Sequence, residues 1–573
     1  MQCAGAESGA RIVARLATIL LLLQACAGSA GHGGAAGSGG TSGVSGAGGA
    51  AGGAPGSGGQ PGAGGAPGIG GAVGGTGGTT GSGGAAAPGG AGGAAGLGGA
   101  GGAAGIGGAG GSTSITGAAL YDAIDSGSPW LDDQGNVINA HGAGIIKDNG
   151  KYYLFGERHS DTSNAFTAFS CYSSVDLLSW KLEGQVLPMQ PNGILGPNRV
   201  GERAKVMKCP STGEYVMFMH TDNLTYTDEA VAYATSATIN GAYSFKGALQ
   251  FNGASIARWD MGTFQDTDGS GYILANGGDV YKLAADYHSA ASMVAASVST
   301  GGESPAMFKA GNVYFFLFSN KTSWERNDNY YYTATSIAGP WTNRGLFAPS
   351  GTLTWNSQTT FVLPVVGSGA TTYMFMGDRW SYPRQGSAAT SVWQPLAVSG
   401  TTLSMPAFNE AWKVNPITGA WSAVGATGTS IDDSVDGAGV NQFNYTGAWA
   451  HLTGGGFNNT ESRSAATGDT VSIAFVGTQI KLYGVANTDG GYGSFTLVDG
   501  SGGTVASGTI DFYSKYRDTA HELEFASPLL KTGSYTLKLT VLGDHSNWSD
   551  KAGDQFGSTG NYVSIDRAVV STM

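Results

Sequence analysis

The stretch GIIKDNGKYYLFG, residues 144–156, decides the fold. An apolar run meets an Asp-Asn-Gly turn and continues as an aromatic-led run. Asn-Gly supplies the positive φ values of a tight turn, so the stretch predicts a β-hairpin. The same grammar returns as KVMKCPSTGEYVMFM (205–219), TFQDTDGSGYIL (263–274), AMFKAGNVYFFLF (306–318) and FVLPVVGSGATTYMFM (361–376). Between these hairpins lie AFSCYSSVDLLSW (168–180), AYATSATINGAY (232–243) and YTATSIAGPW (332–341), which read as the outer strands of the same units. Four-stranded units recurring every 45–60 residues or so describe a β-propeller, here of five blades, which closes radially and leaves few exposed edges. A plain array of β-sandwiches competes, but the recurrent hairpin pairs favour the propeller.

Upstream of the repeats the chain changes character. Of 573 residues 100 are Gly, and from Cys26 to about Leu120 the text is almost wholly Gly, Ala, Ser, Thr and Pro, without one Asp, Glu, Lys or Arg. Such a segment cannot bury enough apolar surface to offset the entropy of ordering it, and it lacks the three-residue period of collagen. It is expected to be a tether. Before it, Arg11 and Arg15 precede a short apolar run ending in Leu23-Gln24-Ala25-Cys26. The run is too short to be a permanent membrane span and reads as a signal peptide. Its end resembles a bacterial lipobox, which implies lipidation at Cys26; an ordinary signal peptide is the alternative. The expected layout is signal peptide 1–25, linker 26–117, propeller 118–425 and a second β domain 430–573.

A net charge of −12 without a basic stripe argues against nucleic acid as partner. Twelve Trp, 24 Tyr and 22 Phe offer flat apolar faces with polar edges, which suit neutral, hydroxyl-rich sugar rings. Cys171 and Cys209 are left to pair or to stay free in a core, and no Cys/His spacing suggests zinc.

The innermost strands of a propeller converge on its axis, so chemistry is expected at their starts. There stand NAHGAG (139–144), GERAK (201–205), RWDMGTF (258–264), GESPAM (302–307) and NSQTTF (356–361). Glu202, Asp260 and Glu303 thus occupy equivalent positions in three successive units. Converging acids are costly unless shifted pKa values or a ligand justify them, and two carboxyls are what glycoside hydrolysis needs. The plainer reading pairs each acid with Arg203, Lys205 or Arg258.

With HG (141–142), GERAKV, WDMGTFQD, ESPAMF, NSQTTFVLP and YMFMGDRW (373–380), the segment from Ala119 to Trp421 resembles glycoside hydrolase family 43, and within it the exo-β-1,3-galactanase group. The resemblance implies Glu303 as general acid, Asp260 as the carboxylate that tunes and orients it, and inversion at the anomeric carbon. Most of the family carries an Asp base in the first unit, where this sequence reads Asn-Ala-His-Gly. The galactanase group shares that departure, which implies Gln358 as the unusual base with Glu202 beside it; Glu202 acting on the water itself, or positioning substrate hydroxyls, stays open. Trp259, Trp324, Trp355, Trp380 and Tyr382 are candidate walls for a galactose ring, some of them core aromatics instead. His141 is a candidate hydrogen-bond partner for a sugar hydroxyl or a structural histidine. Asp378 and Arg379 are further substrate-binding candidates, most simply as a local ion pair.

After Trp421 the pattern alternates again: VSIAFVG (471–477), IKLYG (480–484), GSFTLVD (493–499), SYTLKLTV (534–541) and YVSIDRAVV (562–570). One β-sandwich fits. It resembles the galactose-binding-like jelly-roll modules appended to glycosidases, with Trp449, Tyr492 or Trp548 as platforms, or else serves as a structural partner of the propeller. The expected activity is release of galactose from β-1,3-galactan or arabinogalactan by an exported, lipid-anchored monomer on the cell envelope or surface. The membrane is met only through the lipid. No cofactor or catalytic metal is required, and a structural calcium is left open. The rivals are another family 43 specificity (α-L-arabinofuranosidase or β-xylosidase) and a non-catalytic glycan-binding lipoprotein.

Overall fold

The computed structural model describes residues 119–516 and 522–572. The expected signal peptide, the lipidation site Cys26 and the tether lie outside the described residues.

Each sequence repeat forms one four-stranded antiparallel sheet, its strands laid side by side in chain order. The first sheet takes His141–Asp148, Lys151–Arg158, Ala168–Ser174 and Lys181–Pro188. The second takes Arg199–Lys208, Tyr215–Asn223, Ala230–Ser236 and Ser244–Ala248. Met261–Gln265, Gly271–Ala275, Asp279–Leu283 and Ser289–Ala295 make the third, which gains two short outer strands. The fourth runs Gly302–Ala310, Val313–Asn320, Tyr330–Ala334 and Thr342–Leu346; the fifth runs Gln358–Val366, Thr371–Arg379, Thr390–Ser399 and Thr402–Ser404. The first strand of each sheet touches that of the next, and the fifth returns to the first, so the inner strands close a ring. Their approach is tight enough that a side chain at Gly262 would run into the Pro305 carbonyl of the neighbouring sheet. Apolar side chains fill the wedges between sheets: Phe155, Cys171, Met217 and Met219 between the first two, Phe308, Phe315, Val362 and Phe375 between the last two. Near the chain start, Ile124–Asp125 pairs antiparallel with Ala411–Val414, tying the two ends of the propeller segment together. Cys171 and Cys209 are free buried thiols in separate clusters, so no disulfide joins them.

Residues 429–571 form two facing sheets. One contains Thr429–Asp432, Gln479–Gly484, Glu522–Ala526 and Arg567–Ser571; the other contains Phe443–Thr446, Thr470–Gly477, Tyr492–Asp499, Thr504–Asp511 and Gly533–Val541. Ile431, Leu482, Phe525 and Val570 from the first meet Phe443, Ile473, Phe495 and Leu537 from the second in one core. This is a β-sandwich. Two of its three expected platforms are spent on structure. Tyr492 is fully buried and its hydroxyl donates to the Ser381 carbonyl at 3.1 Å, and Trp548 is buried against Phe556. Trp449 stays half-buried beside Tyr445.

The sandwich is seated on the propeller through buried polar contacts. Lys481 Nζ meets Asp125 at 2.8 Å, Tyr513 donates to Glu325 at 2.7 Å and Ser381 donates to Asp511 at 2.7 Å. Burial pushes the Asp125 carboxyl up to about 6, against the pull of Lys481. Lys481→Met therefore strands a buried charge, and is expected to cost about 3–5 kcal/mol of unfolding free energy above pH 6. The sign follows from the raised folded-state value: below the ordinary 3.8 the carboxyl is neutral in both states, so the loss shrinks towards pH 4. Denaturant unfolding of both proteins at pH 4 and pH 7.5 measures it.

Candidate active site

The ring of inner strands puts five side chains at one level, each opposite a residue closing the second strand of its own sheet. His141 pairs with Glu157, Glu202 with His220, Glu303 with Ser319 and Gln358 with Asp378, while the Asp260 carbonyl accepts from Asn276 N at 3.0 Å. In three sheets the next residue begins a bulge with positive φ: Gly142 (54°), Arg203 (60°) and Ser304 (51°). One extra residue on the inner strand turns the chain at the axis and re-aims the side chains there, a strained conformation held by the surrounding sheet.

Arg203 is the hub. It is buried, and its Nε donates to Asp260 Oδ1 at 3.1 Å while Nη2 donates to Asp260 Oδ2 at 3.3 Å and to Gln358 Oε1 at 2.8 Å. Nη1 lies 3.6 Å from Asp378 Oδ2, and the Arg203 backbone N–H donates to Glu157. Asp260 Oδ2 also accepts from the Ser304 N–H at 3.0 Å and hydroxyl at 2.9 Å, immediately beside Glu303. Burial would raise the Asp260 carboxyl, but Arg203, His220 and Ser304 together hold it below its ordinary value.

Gln358 joins this hub to Glu303. Its oxygen accepts from Arg203 and from Trp380 Nε1 at 2.8 Å, and its amide donates to Glu303 Oε1 and to Ser319 Oγ, each at 3.0 Å. Both oxygen partners are pure donors, so the orientation of the amide is fixed. Desolvation and then the Asp260 charge push the Glu303 carboxyl up to about 8, outweighing Arg203, Lys321 and Gln358, so it keeps its proton at neutral pH.

Glu202 is the opposite case. Oε1 accepts from the Tyr226 hydroxyl at 2.7 Å and the Asn164 amide at 3.2 Å, and Oε2 lies 3.2 Å from His220 Nδ1. Burial opposes ionisation here too, yet the His220 hydrogen bond, its charge and Tyr226 bring Glu202 below its ordinary value. His220 Nε2 reaches Asp222 at 3.3 Å, and despite burial the two carboxylates lift the imidazole to about 9. One desolvated carboxyl is thus protonated and a second ionised within one ring of side chains, the division of labour that acid–base hydrolysis requires.

Glu202, His220 and Asp260 place ligand atoms within 4.8 Å of one another, the one such group among the described residues. A metal needs a lone pair on His220, whereas both carboxylates favour its second proton, so the donor set fits an imidazolium better than a cation.

Around this ring stands an aromatic wall. Trp324 stacks on Tyr382 at 6.0 Å and 8°, and meets Trp380 edge-on at 5.1 Å. His141 is 6.2 Å from Trp380, buried with both ring nitrogens unpartnered, and burial lowers it to about 3, leaving a neutral imidazole with hydrogen-bonding capacity to spare. Trp259 carries Lys321 Nζ at 5.1 Å from its ring centroid.

Two expected binding residues lie elsewhere, and one expected pair does not form. Trp355 packs in the apolar wedge of the last two sheets, its Nε1 donating to Met405 O at 3.1 Å. Arg379 leaves the site for Glu522 of the sandwich. Asp378 turns the other way, accepting from Gly142 N at 3.1 Å, with burial raising it to about 6. Consecutive strand residues face opposite sides, so Asp378 and Arg379 cannot form the local ion pair expected of them. Glu157, Asn164, His220, Asp222 and Tyr226 went unread, although the polar residues closing the apolar strands at Glu157 and His220 are the visible trace of the first and third.

Residues 138–344 match the sequence model of Glycosyl hydrolases family 43. No curated protein sequence matches the chain. Among solved structures, the chain is similar to an exo-β-1,3-galactanase from Phanerochaete chrysosporium bound to galactose, with 27% identity over 78% of this chain and 100% of that one and a TM-score of 0.57. A variant of that enzyme bound to β-1,3-galactotriose gives 27% over the same shares, with a TM-score of 0.58. A Bifidobacterium bifidum protein is 34% identical over 49% of this chain and 95% of its own, with a TM-score of 0.47. Through residues 138–344, in the propeller that carries the protonated Glu303 and the ionised Glu202, the chain holds a glycosyl hydrolases family 43 domain and is a glycoside hydrolase.

Proposed function

We propose that the protein is an exported, inverting, exo-acting hydrolase that releases galactose from β-1,3-galactan, including the backbone of arabinogalactan. The observation that carries this reading is the occupancy of the inner ring. The first sheet presents His141 where a catalytic Asp would favour an arabinofuranosidase or xylosidase, and the acidic residues are Glu202, Asp260 and Glu303. The similarity to galactanases holding galactose and β-1,3-galactotriose supports the substrate.

Glu303 gives its proton to the leaving oxygen as the glycosidic C–O bond breaks, while water attacks the anomeric carbon from the opposite face. Inversion needs roughly 6.5–9.5 Å between acid and base to admit that water. Asp260 holds Ser304 and so aims its neighbour Glu303. Two groups can take the water's proton, each favoured by one observation. Glu202 is already ionised and held by three partners. Gln358 donates an N–H to Glu303, so its oxygen can take the proton from water while its nitrogen returns one to Glu303, leaving a neutral imidic acid. In the structure both lone pairs of that oxygen are engaged by Arg203 and Trp380.

Incubation with β-1,3-galactan is expected to release galactose, seen by proton NMR first as the α-anomer; arabinan and xylan are expected to release nothing. No galactose release from β-1,3-galactan, or release of arabinose or xylose from the other two, would overturn the substrate assignment. Azide replaces the attacking water without needing a base, so it restores turnover to the base variant. Rescue of Glu202→Ala assigns the proton to the carboxylate, and rescue of Gln358→Ala assigns it to the relay. Export with lipid at Cys26 would set this activity at the cell envelope as a tethered monomer, with the half-buried Trp449 left as the sandwich's sugar platform; both follow from the sequence reading.

A further inference from the structure

The hairpin Asn547–Ser549 and Gln555–Gly557 brings the sandwich against the propeller at Tyr226. Between its strands, Lys551 Nζ donates to the Tyr226 carbonyl at 2.7 Å and stands 5.0 Å from the Trp259 ring centroid. Tyr226 is the residue whose hydroxyl holds Glu202, and Trp259 directly precedes Asp260. Lys321, at the end of the fourth sheet's second strand, stands 5.1 Å from the same ring and is near enough to Glu303 to bias its proton. Both lysines are exposed, and among the described residues neither is in ion-pair contact with a carboxylate. Two ammonium groups from two domains therefore meet at one indole, beside the residues that adjoin Glu202, Asp260 and Glu303, in a chain of net charge −12. Trp259 Nε1 is buried there without a partner, a further donor facing no acceptor.

We infer that Lys321, Lys551 and the Trp259 ring form a specificity site at the mouth of the pocket for a carboxylate-bearing sugar next to the cleaved galactose, so that the sandwich supplies part of the substrate site. This rests on the galactan-hydrolase reading of the propeller. A neutral glycan gains nothing from unpaired ammonium groups at the rim, whereas a uronate or aldonate carboxylate gains a charge-assisted contact with each. Exposed pairs are individually modest, and two acting together are worth about five-fold in kcat/KM.

Two probes isolate the charge: β-1,3-galactobiose reduced to its alditol, and the same disaccharide oxidised to its aldonate. They share an open-chain reducing end and differ by a hydroxymethyl against a carboxylate. The aldonate is expected to be cleaved about five-fold more efficiently at low salt, the ratio collapsing towards one at 0.5 M NaCl as screening removes the attraction. Lys551→Gln and Lys321→Gln each lower the ratio, and Lys551→Arg keeps it. A wild-type ratio at or below one, or a preference indifferent to salt and to both lysines, overturns the inference. Failure to cleave even the alditol counts against the galactanase reading instead. In that event calorimetric binding of the two probes to Glu303→Gln protein decides the inference alone: equal affinity refutes it, and tighter salt-sensitive binding of the aldonate upholds it.

Discussion

Replacing Glu303 by Gln is expected to lower kcat on β-1,3-galactan by about 10³–10⁴ while leaving substrate affinity within a few-fold, because the amide keeps the shape and loses only the transferable proton. The wild-type carboxyl, raised to about 8 by desolvation and by Asp260, is protonated throughout the neutral range. The active form is the protonated one. Wild-type kcat/KM should therefore hold up to pH 7 and fall tenfold per unit above about 8, and that alkaline limb should vanish in Glu303→Gln, whose residual rate no longer depends on the group. Glu202 acts with the opposite sign. It lies below its ordinary value, so its ionisation limits the rate only on the acid side, beneath pH 4.5. Rate profiles of the two proteins from pH 4 to pH 10 check both limbs. A variant with more than a tenth of wild-type turnover would remove Glu303 from the acid's role.

That Glu202, Asp260 and Glu303 could be placed together from the sequence follows from strand physics. An inner strand of a propeller starts at the axis, so Glu202, Asp260 and Glu303 had only to share a phase with the apolar text after them to be placed together. Their partners were harder. His220 and Glu157 close the second strands, where a polar residue reads equally well as a solvated cap. Only the closed ring shows that these strand ends face inward. Arg203 was legible as a partner for one acid but not as the hub of several, because its reach across the axis depends on the bulge that turns it. Trp355 and Trp380 were indistinguishable as text: each sits in a polar stretch beside a strand of the fifth sheet, one before its inner strand and one after its second, yet one indole fills an apolar wedge and the other holds Gln358. Arg379 and Tyr492 were misplaced for a shared reason. Their partners, Glu522 and Ser381, lie across the joint between two domains, and no local pattern encodes a contact spanning 143 or 111 residues.

Arg203→Met is the severest single change the site offers outside the acid. The side chain neutralises Asp260, fixes Gln358 and stands 3.6 Å from Asp378, all buried. Removing it leaves carboxylates without their counter-charge, which costs about 3–5 kcal/mol of folding free energy. Activity should fall by about 10²–10³, because Gln358 loses one of the two donors that set its amide against Glu303. A purely structural loss would stop there, and the pH profile separates the two. Arg203 is among the charges that lower Glu303, while His220 and Ser304 still hold Asp260 ionised, so without Arg203 the Glu303 carboxyl must rise and the alkaline limb must move above 8. Arg203→Lys restores the charge but not the fork. It should return the limb towards 8 and recover most of the stability, with kcat staying low, since one ammonium cannot reach both oxygens of Asp260 and the Gln358 carbonyl. Unfolding curves and rate profiles of the three proteins make the comparison, and an alkaline limb unmoved in Arg203→Met would sever the link from Arg203 to the acid.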